Sequence, residues 1–167
     1  MAISTESIRE LRERTGAGIM DVKKALEAVD GDMEKAEKSL LEKGLAKAVK
    51  KGDRSTAEGV ISSYIHAGSR IGAMVELNCE TDFVARTPEF ADLARNIAMQ
   101  VAAMSPLYVS KDEMPANEAR RPEEVCLLEQ AYIRDTSKSI EDLVMDVRAR
   151  VGENVKVGRF IRFGLGE

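Results

Sequence analysis

This chain of 167 residues has no tryptophan, only 4% aromatic residues, a single histidine and two cysteines. Each scarcity removes a class of function. Little aromatic surface argues against stacking on bases. A net charge of -4 and a pI near 5.3 leave no basic field for a phosphate backbone, so no direct contact with RNA or DNA is expected. His66 alone does not supply a zinc site or a Ser-His-Asp arrangement. Cys79 and Cys126 are too few for a disulfide framework at this length, and no CxxC pair or Cys/His cluster suggests a metal. No apolar run approaches the ~20 residues a bilayer span needs. The opening MAISTESIRELRER is charged where a secretory signal would be apolar. The TGAG of residues 15–18 is not followed by GK[ST], and no GxGxxG follows a strand, so no phosphate loop is expected. These exclusions predict a soluble, cytoplasmic, non-enzymatic chain without metal, cofactor or membrane segment.

What is present is an ordinary globular mixture, 44% hydrophobic and 32% charged, long enough for one good core or a small domain beside a modest one. Residues 1–44 read as three short helices. The first is capped at Ser4 or Thr5 and carries Ile8 and Leu11. The glycines of Thr15-Gly16-Ala17-Gly18 break it. The second carries the stripe Ile19, Val22, Leu26, Val29. Gly31 closes it, Asp32 caps the third, and Met33, Ala36, Leu40 and Leu41 run to an expected end at Gly44. Residues 45–57 read as a basic linker. The chain then turns to strands over 58–66 and 70–79, where Ile71, Ala73, Val75, Leu77 and Cys79 alternate with more polar residues. Thr87-Pro88-Glu89 is a helix start. Phe90, Leu93, Ile97, Val101 and Met104 keep one face apolar across four turns, and Pro106 stops it. Residues 106–122 read as loop, and 125–133 as an apolar stretch of open type. A helix over Ile140–Val151, a turn at Gly152-Glu153-Asn154, and a strand alternating Val155, Val157, Ile161, Phe163, Leu165 complete the chain. The fold class is α+β: a three-helix bundle (1–44), then a core (58–167) built on a three-stranded antiparallel sheet covered by helices on one face. The bare sheet face calls for a partner or a second copy.

Two features invite a functional reading. Met20 lies far from the stripe of its helix, either a docking surface or an incidental exposed side chain. Thr81-Asp82-Phe83-Val84 falls at a strand-to-helix corner, where Phe83 either stands out as an anchor or continues the buried parity of Cys79, which the alternation favours. Cys79 itself reads as a buried, inert thiol.

The runs LRERTGAGIMDVKKAL (Leu11 to Leu26) and ELNCETDFVAR (Glu76 to Arg86) closely resemble the two signatures of the elongation factor Ts family. YIHAGSRIG, VGEN and the closing FIRFGLGE extend the resemblance over nearly the whole chain. It implies a UBA-like docking bundle and a nucleotide-exchange factor for the GTPase EF-Tu, engaging its GDP-bound and nucleotide-free forms. It also implies that Thr81, Asp82, Phe83 and Val84 form a loop that wedges into the GTPase and disturbs its magnesium site. Arg12, Ile19, Met20 and Lys23 match the family's docking contacts. His66, Ile133, Arg134, Val151 and Gly152 match other contact positions, the Ile133–Arg134 pair toward a distal domain of EF-Tu. This chain has room for one core subdomain, which resembles the short members that pair as homodimers. It lacks the helical segment those members carry before LLEQ, with Glu118 to Glu124 in its stead. Whether Cys126 pairs with its mate across such a dimer stays open. The rival readings are a ubiquitin-type helical adaptor, which would not depend on Phe83, and a small hydrolase or transferase, for which no nucleophile-base pair is evident.

Overall fold

The computed structural model describes residues 3–167. The Ser4 hydroxyl accepts the Ser7 N–H and starts α1 (Thr5–Thr15), which ends at Gly16 in the left-handed region, φ 68°. α2 (Ile19–Ala28) and α3 (Met33–Lys50) complete the helical module. Its core is Leu11, Val22, Ala25, Leu26, Ala36 and Leu40. Ile19 departs from expectation. It is in phase with the stripe, yet it lies in the first turn of α2 and is exposed.

α3 also runs past its expected end at Gly44. An added Cβ at Gly44 would stand 3.0 Å from the Ala149 Cβ, so this glycine is a site of close packing rather than a helix stop. The segment after α3 is hydrogen-bonded to the rest of the chain. Lys51 Nζ donates to the Gly152 carbonyl, and Asn154 Nδ2 donates to the carbonyls of Gly52 (2.9 Å) and Arg54 (2.7 Å).

β1 (Glu58–Ile65), β2 (Ile71–Cys79) and β5 (Val155–Gly164) form one antiparallel sheet with β2 in the centre. On its inner face Ala73, Val75, Leu77 and Cys79 are buried as the alternation predicts. They pack beneath α5 (Pro88–Met104), whose Phe90, Leu93, Ile97 and Val101 are buried, and α7 (Ile140–Val151), which contributes Ile140 and Val144. Thr87 caps α5 by accepting the Phe90 N–H, and Pro88 takes the first position, where no N–H is needed.

The last strand breaks its own pattern. Leu77 pairs with Val157 but Glu76 with Arg159, so Gly158 is an extra residue, a bulge. One inserted residue reverses the facing of everything beyond it. Val155 and Val157 are therefore buried, whereas Ile161 and Phe163 lie on the opposite, exposed face and Leu165, just past the strand, is exposed too.

Between α5 and α7 lie a loop, the short α6 (Pro122–Val125), and a small hairpin of β3 (Ala131–Tyr132) and β4 (Asp135–Ser139) that the sequence pattern did not reveal. Cys126 is buried against the Met114 sulfur, and burial pushes its thiol pKa up; buried like this, it does not present itself for pairing across a dimer. Among the described residues no helix is long and apolar enough to cross a membrane.

Candidate functional site

Beyond Cys79 the central strand turns into α4 (Asp82–Ala85), a single turn capped by Thr81. Four residues divide their tasks by helical phase. Val84 and Ala85 are buried in the main core, and Phe83 between them and Asp82 points out, 79% exposed. The buried parity favoured for Phe83 therefore fails, because the strand ends at Cys79 and the period changes from two to that of a helix. Asp82 pairs with Arg86 one turn on, at 2.9 Å. A large aromatic in solvent, followed directly by two residues buried in the core, is a candidate anchor for a partner.

The carboxylate of Glu153 holds this corner from across the sheet end. It accepts the Thr81 N–H at 3.0 Å and the Thr81 hydroxyl at 2.7 Å. In return Glu80 accepts the Asn154 N–H at 2.7 Å and lies 3.3 Å from Arg54. The Asn154 N–H, then Arg54, hold the Glu80 carboxyl below its ordinary pKa.

A second exposed corner is the α1–α2 turn. Ile19 (55% exposed) and Met20 (62%) form the first turn of α2, with Lys23 one turn on and 3.8 Å from Glu27. Arg12 is exposed on α1, and its carbonyl takes the Gly16 N–H. Gly16 serves a purpose beyond its left-handed φ. An added Cβ there would stand 3.5 Å from the Arg150 carbonyl, so this turn abuts the end of α7. A cleft of ≈ 400 Å³ lies between them, lined by Thr15, Gly18, Lys47, Arg150, Val151 and Gly152 among others. Val151 and Gly152, expected as contacts, thus lie beside the α1–α2 corner, and the next residue, Glu153, reaches Thr81. The two corners and the end of α7 are joined in series.

The remaining expected contacts are elsewhere. Glu58 of β1 pairs with Cys79, next to the Thr81 corner, whereas His66 follows the other end of β1 and donates its N–H to Ile71 at 2.9 Å. Nine residues of β2 separate the two ends, roughly 30 Å at about 3.3 Å per residue. His66 Nδ1 lies 3.2 Å from the Tyr64 hydroxyl. Arg134 at the β3–β4 turn lines a groove with Tyr64, Arg95 and Met99. Ile133 is half-buried, its N–H donated to Gln100 Oε1 at 3.0 Å. Gln100 in turn donates to Gln130 Oε1 at 3.3 Å and to the Ala131 carbonyl at 3.1 Å.

Sequence reasoning passed over Glu80, Gln100, Gln130, Glu153 and Asn154. For Gln100 a signal existed: a glutamine on the apolar stripe of α5, three residues after Ile97. A fully buried amide there must find partners. Glu80, Glu153 and Asn154 lie inside runs that carry the family resemblance, but nothing local reveals their partners, since Glu153 and Thr81 are 72 residues apart.

The sequence model of a family described as "Elongation factor TS" matches residues 19–123. The chain is 47% identical to the elongation factor Ts of Thermotoga petrophila, with 100% of this chain and 98% of that protein covered. To that of Methylacidiphilum infernorum it is 46% identical, covering 99% and 96%. To that of Syntrophomonas wolfei it is 47% identical, covering 99% and 91%. The first of these alignments spans 195 positions although this chain has 167 residues, so that relative carries positions without a counterpart here.

Proposed function

This chain belongs to the elongation factor Ts family, whose members exchange guanine nucleotide on the translational GTPase EF-Tu, and from that premise we propose how its own residues do so. The α1–α2 corner docks on the GTPase through Met20 and Ile19, with Arg12 and Lys23 at the rim. The Thr81–Val84 corner then drives Phe83 into the nucleotide domain. Val84 stays in the core and takes the reaction force, while Thr81 and Asp82 set the direction and offer competing polar contacts. The single observation that carries this reading is Phe83, exposed on a turn whose next two residues, Val84 and Ala85, are buried.

Such an insertion suffices for exchange. In the GDP-bound state of a P-loop GTPase the metal is held between a β-phosphate oxygen and the P-loop hydroxyl, and backbone N–H groups cradle the phosphates. Magnesium demands near-ideal octahedral geometry, so a small displacement of its protein ligands costs much of the nucleotide's hold. No bond is made or broken, and no catalytic side chain is needed. His66, Ile133, Arg134 and the groove around Tyr64 form a second contact, about a sheet's length away, for a distal part of the same partner. The reaction takes place in the cytoplasm.

The outer sheet face takes a second copy of this chain. Ile61 and Ile65 of β1, Met74 of β2, and Ile161 and Phe163 of β5 stand exposed together on it. Ile65 leans over Gly72, where an added Cβ would stand 2.6 Å from its Cδ1. A flat apolar face of this kind pairs with itself about a two-fold axis. Phe163→Glu would put charge on this face, and sedimentation should then move from dimer to monomer, whereas a parent chain that sediments as a monomer would rule the dimer out.

The exchange reading itself is tested by the release of a fluorescent GDP from bacterial EF-Tu at fixed magnesium. The chain should speed release well beyond the spontaneous rate. Release at the spontaneous rate would contradict it.

A further inference from the structure

We propose that Glu153 is a positioning residue for the wedge: its carboxylate, clamped on the N–H and hydroxyl of Thr81, sets the angle at which Phe83 leaves the sheet. This rests on the reading of Phe83 as the inserted group.

The ladder between β2 and β5 ends at the pair Cys79–Val155. Beyond it the two chain segments part, one into α4 and the other back into α7. Val84 and Ala85 fix the far side of the corner in the core, while its near side follows directly from the strand end. Two carboxylates link the parted segments in opposite directions. Glu153 accepts both donors of Thr81, at 3.0 and 2.7 Å, and Glu80 accepts the Asn154 N–H at 2.7 Å. A carboxylate that takes two donors from one residue fixes orientation as well as distance. The third polar group of Thr81, its carbonyl, accepts from the Cys79 thiol at 3.1 Å. The Thr81 hydroxyl also accepts the Val84 N–H at 3.5 Å, so the residue that Glu153 grips is the cap of the turn carrying Phe83.

The clamp is continuous with the docking module. Glu153 follows Gly152, whose carbonyl takes Lys51, and precedes Asn154, a fully buried residue whose amide holds the carbonyls of Gly52 and Arg54 just after α3. The Gly152–Asn154 turn therefore holds three pieces at once: the end of α3, the end of α7 and the wedge corner. Once the docking corner is seated, Phe83 arrives at a defined place rather than searching for it. A misplacement of about 1 Å can cost a hundredfold in a positioned step.

The absence of tryptophan offers a direct probe, since Phe83→Trp introduces a single indole at the wedge. Its fluorescence anisotropy would be compared in the Phe83→Trp chain alone and combined with Glu153→Ala or Glu153→Gln. In parallel, GDP release would be followed against concentration for the parent, Phe83→Ala, Glu153→Ala and Glu153→Gln. Glu153→Ala should lower the anisotropy and reduce the maximal release rate about five- to twentyfold, with the half-saturating concentration changed less than about twofold. Glu153→Gln keeps an acceptor for the Thr81 N–H and should recover most of both. Unchanged anisotropy together with an unchanged maximal rate in Glu153→Ala, while Phe83→Ala is slow, would overturn the proposal. Should the parent fail to speed release at all, the exchange reading falls, and the anisotropy still decides the clamp: unchanged in Glu153→Ala, it overturns the proposal.

Discussion

Two corners of this chain hold apolar side chains out in solvent, and they are backed very differently. Behind Met20 and Ile19 is a three-helix core of six buried residues among those described, and behind Phe83 is one of twenty. The α1–α2 corner has a Gly18 cap with no side-chain hydrogen bond, while the Phe83 corner is capped by Thr81 and gripped by Glu153. The difference suits the two tasks proposed for them. A docking surface gains from some adjustment, because its contacts need only close over a partner. An inserting group must carry its geometry with it, because any slack is taken up in its own displacement rather than in the partner's.

Leu26→Ala should separate the two corners most strongly. A fully buried leucine in so small a core is worth about 2–5 kcal/mol. Hydrogen exchange should then lose protection in α1–α3 first while β2 and α5 stay close to the parent. Equal loss in both would mean that the Gly44–Ala149 and Asn154 contacts weld the chain into one cooperative unit, and the two corners would then share one backing. A smaller effect is expected at Met20→Ala, about 1 kcal/mol of docking, read as a roughly fivefold rise in the half-saturating concentration for GDP release. A change in maximal rate instead would show that the docking corner also shapes the insertion. The smallest effect is on folding at the wedge. Phe83→Ala removes an exposed side chain and should leave the stability measured by urea unfolding within about 0.5 kcal/mol of the parent. A larger loss would assign Phe83 to the core after all.

Much of this is legible in the chain itself, and the failures have physical causes. The alternation from Ile71 to Cys79 and the capped stripe of α5 are local patterns, and both elements stand as expected. Met20 stands out because helical phase is fixed by sequence alone. Parity misplaces Phe83 because nothing local marks where the strand period gives way to the helical one. The bulge at Gly158 is invisible since the apolar alternation runs on through it, although the facing reverses. Gly44 looks like a helix stop because its partner, Ala149, lies far along the chain. The Glu153–Thr81 clamp shares that cause. A turn that reads as mere punctuation owes its meaning to a residue 72 positions earlier. Which exposed side chains form a site is thus readable, while what holds them in position is not.

The central claim is that Phe83 acts after docking rather than in it. Release of fluorescent GDP from EF-Tu, followed over a full concentration series of Phe83→Ala beside the parent, tests it most directly. A wedge that acts after docking predicts a maximal rate lower by about ten- to a hundredfold, with the half-saturating concentration within about threefold of the parent. A Phe83→Ala chain that reaches the parent's maximal rate, merely at higher concentration, would contradict it and make Phe83 one more docking contact.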